Sequence, residues 1–212
     1  MLVSFGFRVF VGHAVDGKNV PRNYTKPRRI TQNQYSPNNT FQSLTKEIVQ
    51  SDALTDAEKE KLFGWGEDIF EANNLDLRWR PKDVHFVRYL DGEAVSHVGV
   101  LQHEVSVAGR GVKVGGVGAV VTPPAWQKRG YASELMRHAA NYFKATPVAA
   151  GLLFCLRRRV PFYESLGWQL VGHPVLIQQP TGEKVSPLEV MVLPLGDHVW
   201  PEGEVRLNSF PW

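Results

Sequence analysis

Apolar runs broken by turn signals dominate the middle of the chain, and they predict consecutive antiparallel strands. His85-Phe86-Val87-Arg88-Tyr89-Leu90 and residues 94–101 flank Asp91-Gly92, a pair that tolerates the positive φ values of a tight hairpin. Ala108-Gly109-Arg110-Gly111 then separates residues 104–107 from 112–121, giving three or four strands in succession. Residues 41–49 are a candidate first strand. Between that strand and the hairpin, Thr55-Asp56-Ala57-Glu58 has the form of a capping box, in which the Thr55 hydroxyl and the Glu58 carboxylate each satisfy the other's backbone N–H. It opens a helix carrying Leu62, Phe63, Ile69 and Phe70, which is expected to run to about Ala72.

Downstream the period changes from two to that of a helix. Tyr131, Leu135, Ala139, Tyr142 and Phe143 fall on one face, and Pro147 ends the helix. Residues 149–155 read as a short buried strand. Residues 160–166 read as a short helix, with Pro161 in its first turn and Gly167 just past its end. Residues 189–193 close the pattern as a last strand. The sum is an α/β (α+β) fold: a mixed, mostly antiparallel central sheet with helices on both faces. No internal repeat is visible.

Composition narrows the function classes. An apolar share of 43 % is enough for a full core, and a charged share of 21 % is ordinary for a globular chain. A net charge of +3 is too small to argue for nucleic-acid binding. The single cysteine, Cys155, excludes a disulfide framework and a cysteine-rich zinc site, so no metal is expected. No apolar run is long enough to span a bilayer, and the apolar start lacks the basic segment and cleavage pattern of a secretory signal. A cytoplasmic protein with no membrane partner is the expectation. Lys18, Arg22, Lys26, Arg28 and Arg29 sit among Asn, Gln, Thr and prolines without a period. Residues 1–40 therefore read as a basic extension: a mobile or wrapped segment, an organelle-targeting segment, or an arm folding over a partner subunit. Residues 41–212 form the domain.

The candidate chemistry lies in Val120-Val121-Thr122-Pro123-Pro124-Ala125-Trp126-Gln127-Lys128-Arg129-Gly130-Tyr131-Ala132. The two prolines cannot donate to a ladder and stop the strand. The helix that follows begins with unsatisfied N–H groups and a partial positive charge, a natural seat for a pyrophosphate. Gly130 keeps side chains away from that seat, Ala132 is small, and Gln127, Lys128 and Arg129 add polar or positive reach.

Gln127-x-x-Gly130-x-Ala132, together with Phe162-Tyr163-x-x-x-Gly167-Trp168, resembles the GCN5-related N-acetyltransferase superfamily over roughly residues 55–195. The resemblance implies that strands 116–122 and 149–155 splay apart and admit the pantetheine arm of acetyl-CoA, the co-substrate. It implies main-chain contacts to the pantetheine and thioester from Val120, Val121 and Thr122, and a pyrophosphate held by Gln127, Lys128, Arg129, Gly130, Tyr131 and Ala132. It makes Tyr163 the general acid for the departing thiolate. The phenol's ordinary pKa near 10 keeps it protonated at neutral pH and able to donate.

Residues 95–102, Trp126, Tyr163 and a chain ending in Trp212 look like the aminoglycoside 2′-N-acetyltransferases, where acidic residues and a C-terminal carboxylate bind a polycationic sugar. The acid those enzymes carry on strand four aligns with Gly118 here. Gly118, Ala119 and Trp212 are the candidate substrate-binding residues. Candidates for the base are His97, His103, Glu104, Glu71 and Asp76, or a water chain. Cys155 reads as a core residue rather than a nucleophile. The expected activity is direct acetyl transfer from acetyl-CoA to a primary amine of a small molecule, with a homodimer left open. The alternative is an inactive CoA-binding sensor or assembly module.

Overall fold

The computed structural model describes residues 45–212. The basic extension read at residues 1–40 lies outside the described residues, as do residues 41–44 of the expected first strand.

That first strand is β1 (Lys46–Ser51), later than expected. The capping box forms as read: Glu58 N donates to Thr55 Oγ1 at 3.2 Å and Thr55 N to Glu58 Oε2 at 2.5 Å. The helix it opens, α1 (Asp56–Phe63), is shorter than the expected run to Ala72. Gly64 and Gly66 flank Trp65, and glycine costs about 1 kcal/mol relative to alanine inside a helix. The chain instead enters turns organised by Asp68, whose carboxylate accepts from Ala72 N at 2.9 Å and Asn73 N at 3.1 Å.

Strands β2 (Val84–Leu90) and β3 (Glu93–Val107) form the hairpin around Asp91-Gly92, where both turn residues have positive φ. The two apolar runs of 94–101 and 104–107 are one long strand. Strand β4 (Arg110–Val121) follows, so β1 to β4 are antiparallel in sequence. Helix α2 (Tyr131–Lys144) leads to β5 (Ala150–Cys155), α3 (Val160–Glu164) and β6 (Gln169–Leu170). The chain finishes with β7 (Val175–Gln179), β8 (Gly182–Val185), β9 (Glu189–Pro194) and β10 (Val205–Arg206). The expectation had no place for β6, β7, β8 and β10; these are strands of two to five residues.

The sheet runs β6-β9-β5-β4-β3-β10-β7-β8, with β2 and β1 added beyond β3. Strand β3 is the hub, because its first half pairs with β2 and its end with β10. The pairs β4–β5 and β10–β7 are parallel and the rest antiparallel, as the mixed, mostly antiparallel reading required. Alternation along β2 separates the layers. Phe86 joins Leu135, Met136, Ala139 and Phe143 of α2 on one face. Val87 joins Leu62 of α1 on the other. Among the described residues no helix is long and apolar enough to cross a membrane.

Close approach fixes several strand glycines. A Cβ on Gly115 would lie 2.4 Å from the Phe143 ring, so α2 seats directly on β4. Gly115→Ala is expected to cost about 1–3 kcal/mol of unfolding free energy in urea, through overpacking. Combining it with Phe143→Leu should recover part of that loss. Strict additivity of the two changes would refute the contact as the cause.

Candidate functional site

Two breaks in the ladders of β4 set the site. Pairing with β5 runs from Val114↔Ala150 to Val117↔Leu153 and stops, although β4 continues to Val121 and β5 to Cys155. The β5-facing main chain of residues 118–121 is thus left without a strand partner, which is the splay expected from the sequence. On the other side, β3 pairs Gly99 with Gly118 and His97 with Val121, so Ala119 and Val120 together oppose one residue. Ala119 takes φ 49°, a left-handed conformation rare for alanine. The bulge turns the backbone of Val120 and Val121 at the mouth of the gap.

A side-chain chain from β2 and β3 holds this bulge. His97 is fully buried, and its Nδ1 lies 2.8 Å from the Ala119 carbonyl oxygen. A carbonyl only accepts, so Nδ1 carries the proton and Nε2 is an acceptor. His85 Nδ1 lies 2.9 Å from that Nε2 and donates to it. Burial pushes the His97 imidazole down to about 3 against the opposing pull of its hydrogen bond to Ala119, with nearby His85 and Lys82 adding to the downward shift, so it is neutral at ordinary pH. A buried neutral histidine that spends one nitrogen on a carbonyl and accepts on the other is a brace. Ser96 adds a second tie, its hydroxyl 3.0 Å from Val121 O and 2.8 Å from Thr122 Oγ1.

After Pro123 the chain makes one 3₁₀ turn, Pro124–Trp126, and enters α2 through Gln127-Lys128-Arg129-Gly130. Lys128 and Gly130 both have positive φ, at 61° and 83°. Such alternation turns successive N–H groups to one side. Gly130 is the N-cap and offers no side-chain cap, and the first intrahelical bond is Glu134 N to Gly130 O at 3.0 Å. The N–H groups of Tyr131, Ala132 and Ser133 therefore have no intrahelical acceptor. A Cβ on Gly130 would meet nothing within 4 Å, so open space lies at the loop. These groups fit an anion such as a pyrophosphate.

The polar side chains of the loop act differently from the expectation of free reach. Gln127 Nε2 donates to Thr122 O at 2.9 Å. Arg129 donates to Ala125 O at 3.1 Å and lies 4.8 Å over the Trp126 ring. Both brace the loop from within. Sequence reasoning passed over Arg88. It is buried, pairs with Glu134 at 3.3 Å, lies 5.7 Å from the Tyr131 ring centroid, and so ties β2 to the first turn of α2.

Tyr163 sits beside the end of β5. Its ring packs edge-on against Phe162 and Trp168 at 5.0 and 6.4 Å, and Trp168 covers Gly151 of β5. It is buried, and burial raises its hydroxyl well above the ordinary phenol range, with Cys155 nearby adding to the shift. Burial and Glu189 push the Cys155 thiol up to about 11, which suits a core thiol and not a nucleophile.

Of the substrate candidates, Gly118 and Ala119 lie at the break, and Trp212 covers it. The Trp212 indole donates to Leu152 O at 3.3 Å and occupies the space a Cβ on Gly116 would need. A Cβ on Gly118 would lie 2.8 Å from Trp212 O and 2.6 Å from Lys82 Cε, so no side chain fits there. Of the base candidates, His97 is committed to the bulge. His103 bridges Arg80 and Leu207 O at 3.0 and 2.7 Å, and Glu71 pairs with Arg158. The run Gly115-Gly116-x-Gly118 within a strand was the available signal of close approach here. Two surface hollows lie elsewhere, one along residues 111–113 and 146–149 and one around His173 and Trp200.

The chain matches the family model described as an acetyltransferase (GNAT) domain over residues 51–171. It is similar in structure to the GNAT family N-acetyltransferase YhbS from Escherichia coli in complex with CoA. That match has 15 % identity, covers 78 % of this chain and 91 % of that one, and has a TM-score of 0.53. A GNAT family acetyltransferase from Brucella melitensis in complex with acetyl-CoA has 16 % identity over 76 % of this chain and 94 % of that one, with a TM-score of 0.43. The N-acyl amino acid synthase FeeM from uncultured soil microbes has 13 % identity over 72 % and 93 %, with a TM-score of 0.49. No curated protein matches the chain.

The neutral His97 generates a pH signature. Its folded pKa lies below the unfolded value, so unfolded chains bind the proton first as pH falls. Stability is therefore full above about pH 6.5 and declines toward the folded pKa of about 3, by as much as about 1.4 kcal/mol per pH unit from this group. His97→Asn places an amide donor near the Nδ1 position without a titrating ring. Urea unfolding of this variant should show a flatter pH dependence between about pH 6 and 4. An unchanged slope would refute the assignment.

Proposed function

Because this chain belongs to the acetyltransferase (GNAT) family, we propose that it transfers acetyl from acetyl-CoA to a primary amine of a small molecule by direct attack. The observation that carries the reading is the end of β4–β5 pairing at Val117↔Leu153, with an open, left-handed loop and uncapped helix start at the adjoining end of β4. An elongated, polar arm can add itself to unpaired strand backbone, and a diphosphate can take the helix N–H groups.

Bound acetyl-CoA supplies the activated thioester; the chain supplies placement, hydrogen bonds and a proton. In this reading Val120, Val121 and Thr122 offer main-chain groups to the pantetheine and thioester, and residues 127–132 hold the pyrophosphate. The N–H near Val121 donates to an oxygen that gains negative charge. Tyr163 Oη donates its proton to the departing sulfur. Burial raises its pKa, so the hydroxyl stays protonated at neutral pH and can donate a hydrogen bond to that sulfur. The acceptor nitrogen attacks as the neutral amine and loses one proton after the new C–N bond forms. No carboxylate on β4 takes it, because position 118 is glycine.

Calorimetry with CoA is expected to give a clear heat of binding that Gly130→Val abolishes, since valine cannot hold φ near 83°. Thiol release from acetyl-CoA should depend on added amine. Tyr163→Phe should lower that turnover by about 10²–10⁴ while CoA affinity stays the same. Binding without any amine-dependent release would instead support the CoA-binding sensor or assembly module. Absence of CoA binding would overturn both.

A further inference from the structure

We infer that Arg88 of β2 is a buried counter-charge for the diphosphate at the start of α2, acting across the first turn of that helix. The inference rests on the acetyltransferase reading above and adds to its cofactor seat a residue that neither the loop nor the helix carries.

The register sets where Arg88 lies. It pairs with Ile48 of β1 on one side and Ser96 of β3 on the other, so it stands inside the sheet. Alternation along β2 puts it on the face of Phe86, which packs under α2. Arginine is almost never fully buried unless it is paired, and an apolar residue is the ordinary occupant of such a place. Here the residue is 6 % exposed. What it meets is the first turn of α2. Its Cζ lies 5.7 Å from the Tyr131 ring centroid, and its Nη1 lies 3.3 Å from Glu134 Oε1. Ser96, its partner in register, bonds Val121 O and Thr122 Oγ1, so the same row of the sheet leads to the end of β4 where the loop begins.

Glu134 compensates this charge only in part. It is the one carboxylate in ion-pair reach of Arg88 among the described residues, and its side chain is 44 % exposed against 8 % for the arginine. Water therefore screens the carboxylate more than the guanidinium. Nε of Arg88 is buried and has no hydrogen-bond partner among the described residues. Neighbouring charges are engaged elsewhere: Glu93 pairs with Lys61, and Arg129 is bonded to Ala125 O. A cation withdrawn from water beside the positive end of a helix is costly unless an anion also acts on it.

The place for that anion is adjacent. The N–H groups of Tyr131, Ala132 and Ser133 have no intrahelical acceptor, and Arg88 touches residues 131 and 134, on either side of them. One helical turn rises 5.4 Å, so an anion on those groups stands within about 10 Å of the guanidinium. Across that distance the charge acts through the packed first turn, where polarity is low, and needs no opening of its own. A diphosphate then draws on the helix start and on Arg88 together.

Full-length protein is titrated by calorimetry with CoA, with pantetheine at millimolar concentration, which lacks the phosphates, and with inorganic pyrophosphate. Arg88→Met should weaken CoA about fivefold or more and leave pantetheine unchanged, and Arg88→Lys should recover part of the loss. Glu134→Gln should tighten CoA. In that background the ion pair is already gone, so adding Arg88→Met should still weaken CoA about fivefold if the cofactor uses the charge and not the pair. Equal losses for CoA and pantetheine, or no further loss in the Glu134→Gln background, would overturn the inference and leave the acetyltransferase reading intact. If CoA does not bind the unaltered protein, the acetyltransferase reading fails and pyrophosphate decides Arg88 separately. Pyrophosphate binding that Arg88→Met removes supports the inference, and its absence or persistence overturns it. Thermal unfolding establishes that each variant is folded, with Arg88→Gln as a second neutral replacement.

Discussion

The structure turns on one hydrogen bond, from His97 Nδ1 to the Ala119 carbonyl. A β-bulge places an extra residue on one strand, and the ladder alone does not fix where its carbonyl goes. Here an imidazole buried between β3 and α1 takes that carbonyl, and Phe63 of α1 packs edge-on against the imidazole at 5.4 Å. Ala119 is held in a left-handed conformation that alanine visits rarely. What the brace secures is a turn of the backbone on the side that faces β5, where pairing has already ended. The gap between β4 and β5 and the bulge across from it are two aspects of one arrangement. Strand β4 can be open on one side because it is pinned by side chains on the other.

Burial explains why a histidine serves there. Desolvation keeps the ring neutral, and neutrality gives it one donor and one acceptor at fixed positions. A lysine would bring a charge into the core, and a serine is too short to reach across from β3. Ser96, the adjacent residue, shows the shorter reach: its hydroxyl contacts Val121 O and Thr122 Oγ1 further along the same strand. Together the two side chains hold Ala119, Val121 and Thr122, and the loop that follows leaves β4 in a defined direction toward α2.

Much of this was legible in the chain. Asp91-Gly92, the Thr55 capping box, the helical spacing from Tyr131 and the proline-broken strand end all gave their elements, because each rests on chemistry local to a few residues. The failures share a cause. The helix after Thr55 was read through Gly64 and Gly66 because Leu62, Phe63, Ile69 and Phe70 kept a plausible spacing, and spacing was allowed to outweigh backbone entropy. Strands β6, β7, β8 and β10 were missed because they are short, and the two residues of β10 owe their conformation to β3 and β7 on either side. Lys82 carried no signal at all. Its meaning comes from two glycines that lie 17 and 36 residues further on in the chain and meet only in the folded sheet. Gly118 was noticed for what it lacks; its role is to make room.

That room changes the chemical logic of the site. A side chain on β4 at position 118 would project where Lys82 Cε and the Trp212 main chain now lie, so an acid there and the present packing exclude each other. The close approach of the two glycine positions is thus used to seat the Lys82 stem and the Trp212 main chain, and residue 118 contributes backbone alone, so what β4 presents at this point is set by its neighbours rather than by a side chain of its own.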